Sequence, residues 1–386
     1  MLIRRVELRL LVVPFREPVV VAGRTWTERR LALVRLAADD GLEGVGEIAL
    51  DADPLVAGPG AETRPGAEPD LAEALRGALV GLDLGDAAAI AQRLAILART
   101  VGRDRSAGFG RAVRAGAEAA VLDLRGRAIG RPIRDLLGPG GRADVAVNGL
   151  VAAGTPEAAA RDAAALIAIG YRSLKLKVGR ERTLGELVER VAAVRSAIGP
   201  DVQLRLDANG VWSEAQAIRS LRALGEVEPE YVEQPIAPRL GRVALARVRR
   251  ASQVPIAADE SVTGPIAAAR LVREGAVDLL IVKPARVGGP GVGLEIAAGA
   301  AAHGVGIVVS TMFETGIGLL GALHVAAALP GPDRAHGLGT ADLLVSDLLA
   351  GRQRVADGRL AVPTGPGLGV ALDEAAIERF SSGAAR

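Results

Sequence analysis

From about Val145 onward the sequence repeats one pattern, a short apolar strand followed by an amphipathic helix, at a period of roughly 25 to 30 residues. The strands read Val145 to Val151, Ser173 to Val178, Gln203 to Leu206, Tyr231 to Glu233, Ile256 to Ala258, Leu279 to Val282, Gly306 to Ser310 and a weak eighth near Gly337 to Thr340. Strands that return through a helix run parallel, and seven or eight in succession predict an α/β barrel closed on itself. The competing fold is an open, doubly wound sheet. Its signature Gly-x-Gly-x-x-Gly is missing after a first strand; the glycine-rich Arg286-Val-Gly-Gly-Pro-Gly-Val-Gly comes only after the sixth.

The flanks read differently. Arg5 to Val13 mixes apolar and charged residues and Arg30 to Leu36 alternates them, with Pro14, Gly23 and Asp39-Asp40-Gly41 as turns, which predicts a small antiparallel sheet. Ala52 to Pro69 is rich in Gly, Pro and Ala and reads as a loop. Asp70 to Val101 and Gly110 to Ile129 have helical periodicity, and Gly130-Arg-Pro closes the second. Leu360 to Phe380 reads as a strand, a Gly-Pro-Gly-Leu-Gly turn and a short helix packing back on the N-terminal part. The expected division is an α+β capping domain over 1–135, a barrel over 136–355 and a returning segment over 356–386.

The charge balance excludes several partners. Forty-seven basic residues against 45 acidic give a net charge of +2, and the two signs are interspersed, so neither nucleic acid nor an anionic membrane is expected. No apolar run has the length of a membrane span and no leader pattern is read at the N-terminus, which points to a cytoplasmic protein. Cysteine is absent, which removes disulfides and thiolate metal sites.

Within the basic residues lies a sharper signal: only three are Lys, at 175, 177 and 283, and the other 44 are Arg. A surface cation can be either residue, but a group that must lose and regain a proton cannot be Arg, whose guanidinium stays charged. Two of the three form Lys175-Leu-Lys177 in one strand, a period-two spacing that puts both on one face, and a barrel strand's outer face is covered by helices. Lys283 ends another strand. Asp207, Glu233 and Asp259 also sit at strand ends, each 26 residues from the next, or one β/α unit. In a barrel those ends share one mouth. An acidic residue there can merely cap the following helix, but three at this spacing suit a hard divalent ion such as Mg²⁺, with Mn²⁺ as a substitute. Asn209 is either a turn residue or a support behind the ligands, and Glu260 is expected to pair with Lys283. His303, His324 and His336 read as structural.

A base beside a cation site fits proton abstraction next to a carboxylate, where the carbon acid is weak and charge builds on oxygen. Two lysines on opposite sides of the mouth allow racemisation; one face alone allows syn elimination. The alternative of another class is a non-catalytic barrel used as a scaffold.

The strand-end motifs Ser173-Leu-Lys-Leu-Lys-Val-Gly, Leu204-Arg-Leu-Asp-Ala-Asn-Gly, Tyr231-Val-Glu-Gln-Pro, Pro255-Ile-Ala-Ala-Asp-Glu-Ser and Leu280-Ile-Val-Lys-Pro resemble those of the enolase superfamily, in its muconate-lactonizing branch. Arg131-Pro-Ile-Arg-Asp-Leu-Leu-Gly and Pro366-Gly-Leu-Gly-Val extend the resemblance to nearly the whole chain. It implies a modified TIM barrel capped by an α+β domain built from both termini, and symmetric assembly into a homo-oligomer. It also implies Mg²⁺ on Asp207, Glu233 and Asp259, with Lys177 and Lys283 flanking the reacting carbon of a small carboxylate and Lys175 tuning Lys177. Pro14 to Trp26 resembles the branch's mobile specificity loop, so Arg24 and Trp26 are expected at the substrate with Asn148, Ser310, Met312 and Glu314, and Arg205 behind the site. Within the branch, the Leu204, Ile281 and Gly337-Leu-Gly-Thr-Ala-Asp segments look most like the dehydratases that make o-succinylbenzoate for menaquinone. Muconate cycloisomerase, N-acylamino acid racemase and dipeptide epimerase use the same site. Thr340-Ala-Asp stands where the epimerases carry Asp-x-Asp.

Overall fold

The computed structural model describes residues 1–21, 24–50, 68–104, 106–138 and 141–381. Most of the expected Ala52 to Pro69 loop lies outside the described residues.

Strands β1 (Ile3–Val21), β2 (Arg24–Ala38) and β3 (Glu43–Ala49) form an antiparallel sheet in that order. Helices α1 (Glu68–Leu79), α2 (Ala87–Asp104) and α3 (Ala107–Ile129) cover one face. Alternation sorts the strands: Val34, Leu36 and Ile48 join Leu75, Leu94, Val113 and Leu124 in a core separate from that of the barrel. Gly46 and Gly116 let β3 and α3 touch backbone to backbone, since a Cβ on Gly46 would run into the Gly116 carbonyl. With Gly46 and Ile48 turned to α3, the side chain between them, Glu47, points toward the barrel.

The stretch Pro14 to Trp26, expected as a loop, is instead mostly hairpin. Val19, Val20 and Val21 pair with Trp26, Thr25 and Arg24, and the register slips only between Pro14 and Val19. The run of three valines and the β-branched Thr25 favour the pleated surface.

The barrel uses β5 (Gly149–Val151), β6 (Ser173–Lys177), β7 (Gln203–Asp207), β8 (Tyr231–Glu233), β9 (Ile256–Ala258), β10 (Leu279–Val282) and β11 (Gly306–Val309), each parallel to the next in one sheet. The single strand expected over Val145 to Val151 is two. Its first part, β4 (Asp144–Ala146), pairs antiparallel with β12 (Arg359–Ala361), so the chain changes partner before entering the barrel. The eighth strand is also shorter than expected. His336 and Gly337 make single bridges to Val147 and Ser310, and the buried His336 ring accepts the Val309 N–H through Nδ1. That small segment joins the two ends of the sheet.

After the short α4 (Ile133–Leu137), helices α5 (Pro156–Ala168), α6 (Leu184–Ile198), α7 (Glu214–Leu224), α8 (Gly241–Arg250), α9 (Pro265–Arg273), α11 (Pro290–Ala301) and α12 (Gly316–Ala328) follow the strands, with a single turn, α10 (Pro284–Val287), before α11. Thr155, Thr183 and Ser213 cap α5, α6 and α7, and Ser213 with Gln216 completes a capping box; each cap contributes about 1 kcal/mol. The capping role is therefore filled by hydroxyls, and Asp207, Glu233 and Asp259 cap none of the helices that follow them.

The tail packs back on the N-terminal sheet as expected. Helix α13 (Glu374–Phe380) sends Glu378 to Arg9 and Glu374 to Arg35. Upstream, Asp123 of α3 accepts the N–H groups of Val45 and Leu368. No helix among the described residues is long and apolar enough to cross a membrane.

Candidate active site

Parallel registry sets the site. Lys177 stands opposite Asp207 on β7, and Asp207 opposite Glu233 on β8, so these three form one row at the strand ends, while Lys175 lies one inward position lower on β6. Asp259 follows β9 and Lys283 follows β10. All three carboxylates are buried, each at 1% exposure, and each meets an ammonium. Lys177 Nζ donates to Asp207 Oδ2 at 2.6 Å and Asn209 Oδ1 at 2.9 Å; Lys175 Nζ lies 3.2 Å from both Asp207 and Glu233; Lys283 Nζ donates to Asp259 Oδ2 at 2.8 Å.

The charges act on one another strongly. Burial pushes the Asp207 carboxyl up, but Lys177 and Lys175 outweigh it and hold it well below the usual range. Asp259 is likewise opposed by burial yet drawn down to about 2 by Arg286 and Lys283. Burial works against the charge on Lys175, and Glu233 and Asp207 more than restore it. Glu233 goes the other way, raised to about 7 by burial and by Asp207, and Glu260 to about 8 by burial, Asp259 and Asp207.

Among the described residues no three His, Asp or Glu side chains are grouped as metal ligands in this arrangement, because each carboxylate leans on a cation. The donor set nonetheless fits a hard divalent ion. Its donors are all oxygen, they sit on neighbouring strands, and Glu260 keeps a buried Oε2 with no partner. Burial and the neighbouring carboxylates lift Glu233 and Glu260, and a cation held by Asp207, Glu233 and Asp259 would relieve the repulsion among them.

A pocket opens over the lysines. Trp26, Leu150, Met312 and Phe313 form its apolar wall, Asn148, Ser310 and Thr340 its polar one, and Lys175, Lys177, Lys283 and Arg286 its cations; among the described residues Glu260 is its sole carboxylate. The hairpin carrying Trp26 is fixed over the mouth. Phe15 bridges to Leu344 and packs edge-on against Phe313 with centroids 5.9 Å apart, and Arg180 donates to the Val20 carbonyl at 2.8 Å. Phe313 holds φ at 64°, and Asn209 and Gln234 also adopt positive φ at the ends of β7 and β8. Non-glycine residues in that region cost of order 1 kcal/mol, and here they re-aim side chains beside the site.

Several expectations need correction. Glu260 does not pair with Lys283; it accepts from Asn209 Nδ2 at 3.1 Å, which makes Asn209 the link between Lys177 and Glu260. Glu314 is absent from the pocket wall: its Oε2 turns back to accept the Met312 N–H at 2.6 Å, beside Glu47. Arg205 supports the pocket from behind, donating to Glu230, to Asn148 Oδ1 and to the Ala335 carbonyl. The side chain of Arg24 lies outside the described residues. Sequence reasoning missed Arg286, which donates to Asp259 Oδ1 at 2.5 Å and to its carbonyl, and Gln234, whose Oε1 accepts the Asp259 and Ser261 N–H groups. The one available signal for Arg286 was its position three residues past Lys283, one helical turn on.

The remaining histidines are structural. Burial lowers His324 to about 4 and His336 to about 3, so both are neutral, and His303, just past the end of α11, meets the Gly299 carbonyl of that helix.

Residues 5–138 match the mandelate racemase/muconate lactonizing enzyme N-terminal domain, and residues 158–376 match the enolase C-terminal domain-like family. Muconate cycloisomerase 1 of Pseudomonas putida is 31% identical over 95% of this chain and 94% of its own length. N-succinylamino acid racemase of Thermus thermophilus is 33% identical over 99% and 98%. The solved muconate lactonizing enzyme of P. putida superposes with a TM-score of 0.86 at 28% identity, over 99% of this chain and all of that one. With its two domain matches, its capped barrel and its row of paired lysines and carboxylates, the chain belongs to the mandelate racemase/muconate lactonizing enzyme family of the enolase superfamily.

Proposed function

We propose that this enzyme removes the α-proton of a small dicarboxylate, and that the reaction completed is a dehydration of the o-succinylbenzoate synthase type. The observation that carries the first part is the pocket wall: four cations against one carboxylate, two of those cations, Lys177 and Lys283, standing on different strands and each already paired with an acid. A substrate anionic at both ends suits it. Among the described residues a dipeptide with a free ammonium has only Glu260 to meet, and the apolar wall of Trp26, Leu150, Met312 and Phe313 accommodates a carbocycle. The buried Trp26 Nε1 has no partner among the described residues and supplies a donor for a substrate oxygen.

Enzymes of this family are generally Mg²⁺-dependent, and Asp207, Glu233 and Asp259 are the residues that would hold the ion. When bound it supplies positive charge against the substrate carboxylate. Lys177 takes the α-proton; the C–H electron pair forms the new C=C bond as the β-hydroxyl leaves, and Lys177 returns the proton to it, releasing water. Lys283 remains an ammonium and balances charge on the carboxylate oxygens. Asn209 orients Lys177, and Arg286 holds Asp259.

Racemisation of an N-succinylamino acid is the second reading, favoured by the two lysines on separate sides and by the T. thermophilus relative. Turnover assays with Mg²⁺ separate the readings. The dehydration substrate, an N-succinylamino acid and cis,cis-muconate are compared in deuterated water. Efficient conversion of the first supports dehydration; failure on it with turnover of either other overturns it, and no α-exchange with any of them would count against the family chemistry.

A further inference from the structure

Lys177 and Lys283 are held in different ways. Lys283 is fixed by its side chain on Asp259, which Arg286 braces. Lys177 also meets side-chain acceptors, but its backbone is gripped from behind by a residue the chemistry does not use. Arg190 lies on α6, just 3% exposed, and its guanidinium spans three acceptors: the Lys177 carbonyl at 2.7 Å, the Ala153 carbonyl at 3.0 Å and Glu181 Oε1, to which Nε donates at 2.9 Å. Glu181 closes the other side, its Oε2 accepting the Gly179 N–H at 2.7 Å. The segment 177–181 is therefore pinned at the carbonyl of the lysine and at the amide two residues on. Gly179, with φ at 94°, makes the turn between them, where a Cβ would strike Val211.

Burial of an Arg–Glu pair is expensive unless its hydrogen bonds are met, and removal of one partner strands the other. Among the contacts described, this pair meets the substrate pocket through the backbone of Lys177, away from the pocket interior. Capping explains neither residue, since α6 is capped by Thr183. What the pair does reach is the backbone that carries the Lys177 side chain, together with the exit of β5.

We propose that Arg190, seated by Glu181, is a positioning residue for Lys177, setting the reach of its ammonium while leaving Lys283 untouched. The inference rests on the proposed role of Lys177 as the proton-transfer group. Misplacing a reacting group by a fraction of an ångström to an ångström costs one to two orders of magnitude in rate, so Arg190→Gln is expected to lower kcat about tenfold with KM within about twofold. Arg190→Lys recovers little, because one ammonium cannot span three acceptors, and Glu181→Gln lowers kcat by about threefold.

The three lysines make a direct test possible. With lysine labelled at Cε, the protein gives three Cε signals, assigned by replacing each lysine with Arg, and they are read without substrate or metal. In Arg190→Gln the Lys177 signal is expected to shift, with the Lys175 and Lys283 signals unchanged. An unmoved Lys177 signal, or equal movement of all three through general loosening, overturns the proposal whatever the activity does. A moved Lys177 signal with unchanged turnover of a substrate the wild type converts overturns the role of Lys177 instead, and leaves the clamp standing.

Discussion

Two groups of buried carboxylates in this molecule are balanced by opposite means. At the barrel mouth Asp207, Glu233 and Asp259 face ammonium groups carried on long side chains. Between the capping sheet and the barrel, Glu47 faces fixed dipoles: the Thr315 N–H at 3.1 Å, the Thr315 hydroxyl at 2.5 Å and the Gly318 N–H at 3.1 Å, all at the start of α12. A helix N-terminus accepts a carboxylate without needing a counter-ion. Glu47 thus ties β3 to the helix that follows Met312 and Phe313 of the pocket wall. The lesson is one of exchangeability. Ammonium partners can withdraw to admit a cation or a substrate, whereas backbone donors cannot, so the first group is suited to chemistry and the second to holding two domains together.

The largest expected effect breaks the pairing at the mouth. Lys177→Arg keeps the charge but not the transferable proton, and is expected to lower kcat by about a thousandfold, while Glu47→Gln stays within about threefold of wild type. Steady-state assays on the converted substrate decide it, and a Lys177→Arg variant within about tenfold of wild type would mean the base is misassigned.

Stability is expected to respond in the reverse order. Glu47→Ala leaves three donors without an acceptor and is expected to cost about 2 to 3 kcal/mol in denaturant unfolding, against little for the mouth variant Lys177→Arg. An equal loss in both would erase the distinction. Mg²⁺ sharpens it from the other side: at a hundredfold excess over its dissociation constant the ion raises stability by about 2.7 kcal/mol. That gain is expected to survive Glu47→Gln and to vanish in Asp207→Asn when melting is followed with Mg²⁺ or with EDTA.

Acidity gives a finer probe. Burial and the nearby Glu314 raise Glu47 to about 7 from its ordinary 4.5. A carboxyl raised on folding contributes stability that is complete below pH 4.5 and is lost as pH rises through 7, on the order of 3 kcal/mol. Glu47→Gln should flatten that part of the pH profile of unfolding, and an unchanged slope between pH 5 and 8 would show that Glu47 is already ionised at low pH. The smallest effect serves as the remote reference. Ser213→Ala removes one side of the α7 capping box, costs about 1 kcal/mol, and leaves kcat alone.

Much of this was legible before any coordinates. The period of the strands predicted the barrel, and the scarcity of lysine singled out the groups that line its mouth. Three acids at one-unit spacing could be placed on adjacent strands because parallel β/α units repeat. Where expectation failed, the deciding contacts were long-range. The Pro14 to Trp26 stretch reads as a loop until its valines find Thr25 and Trp26 across a hairpin. Glu314 follows Met312 and Phe313 into the pocket region by sequence, yet its carboxylate turns back to the Met312 N–H. Nothing local in Glu260 distinguishes Asn209 from Lys283 as its partner.

By itself, then, the sequence determined which residues stand at the strand ends, because backbone alternation and a repeating β/α unit are local and periodic. Tertiary structure alone decided which cation meets which acid, that Arg190 on α6 grips the Lys177 carbonyl, and that Glu47 of the capping sheet closes on α12. Those are meetings of side chains tens to hundreds of residues apart, governed by burial and by which donors remain unsatisfied, and no local pattern encodes them.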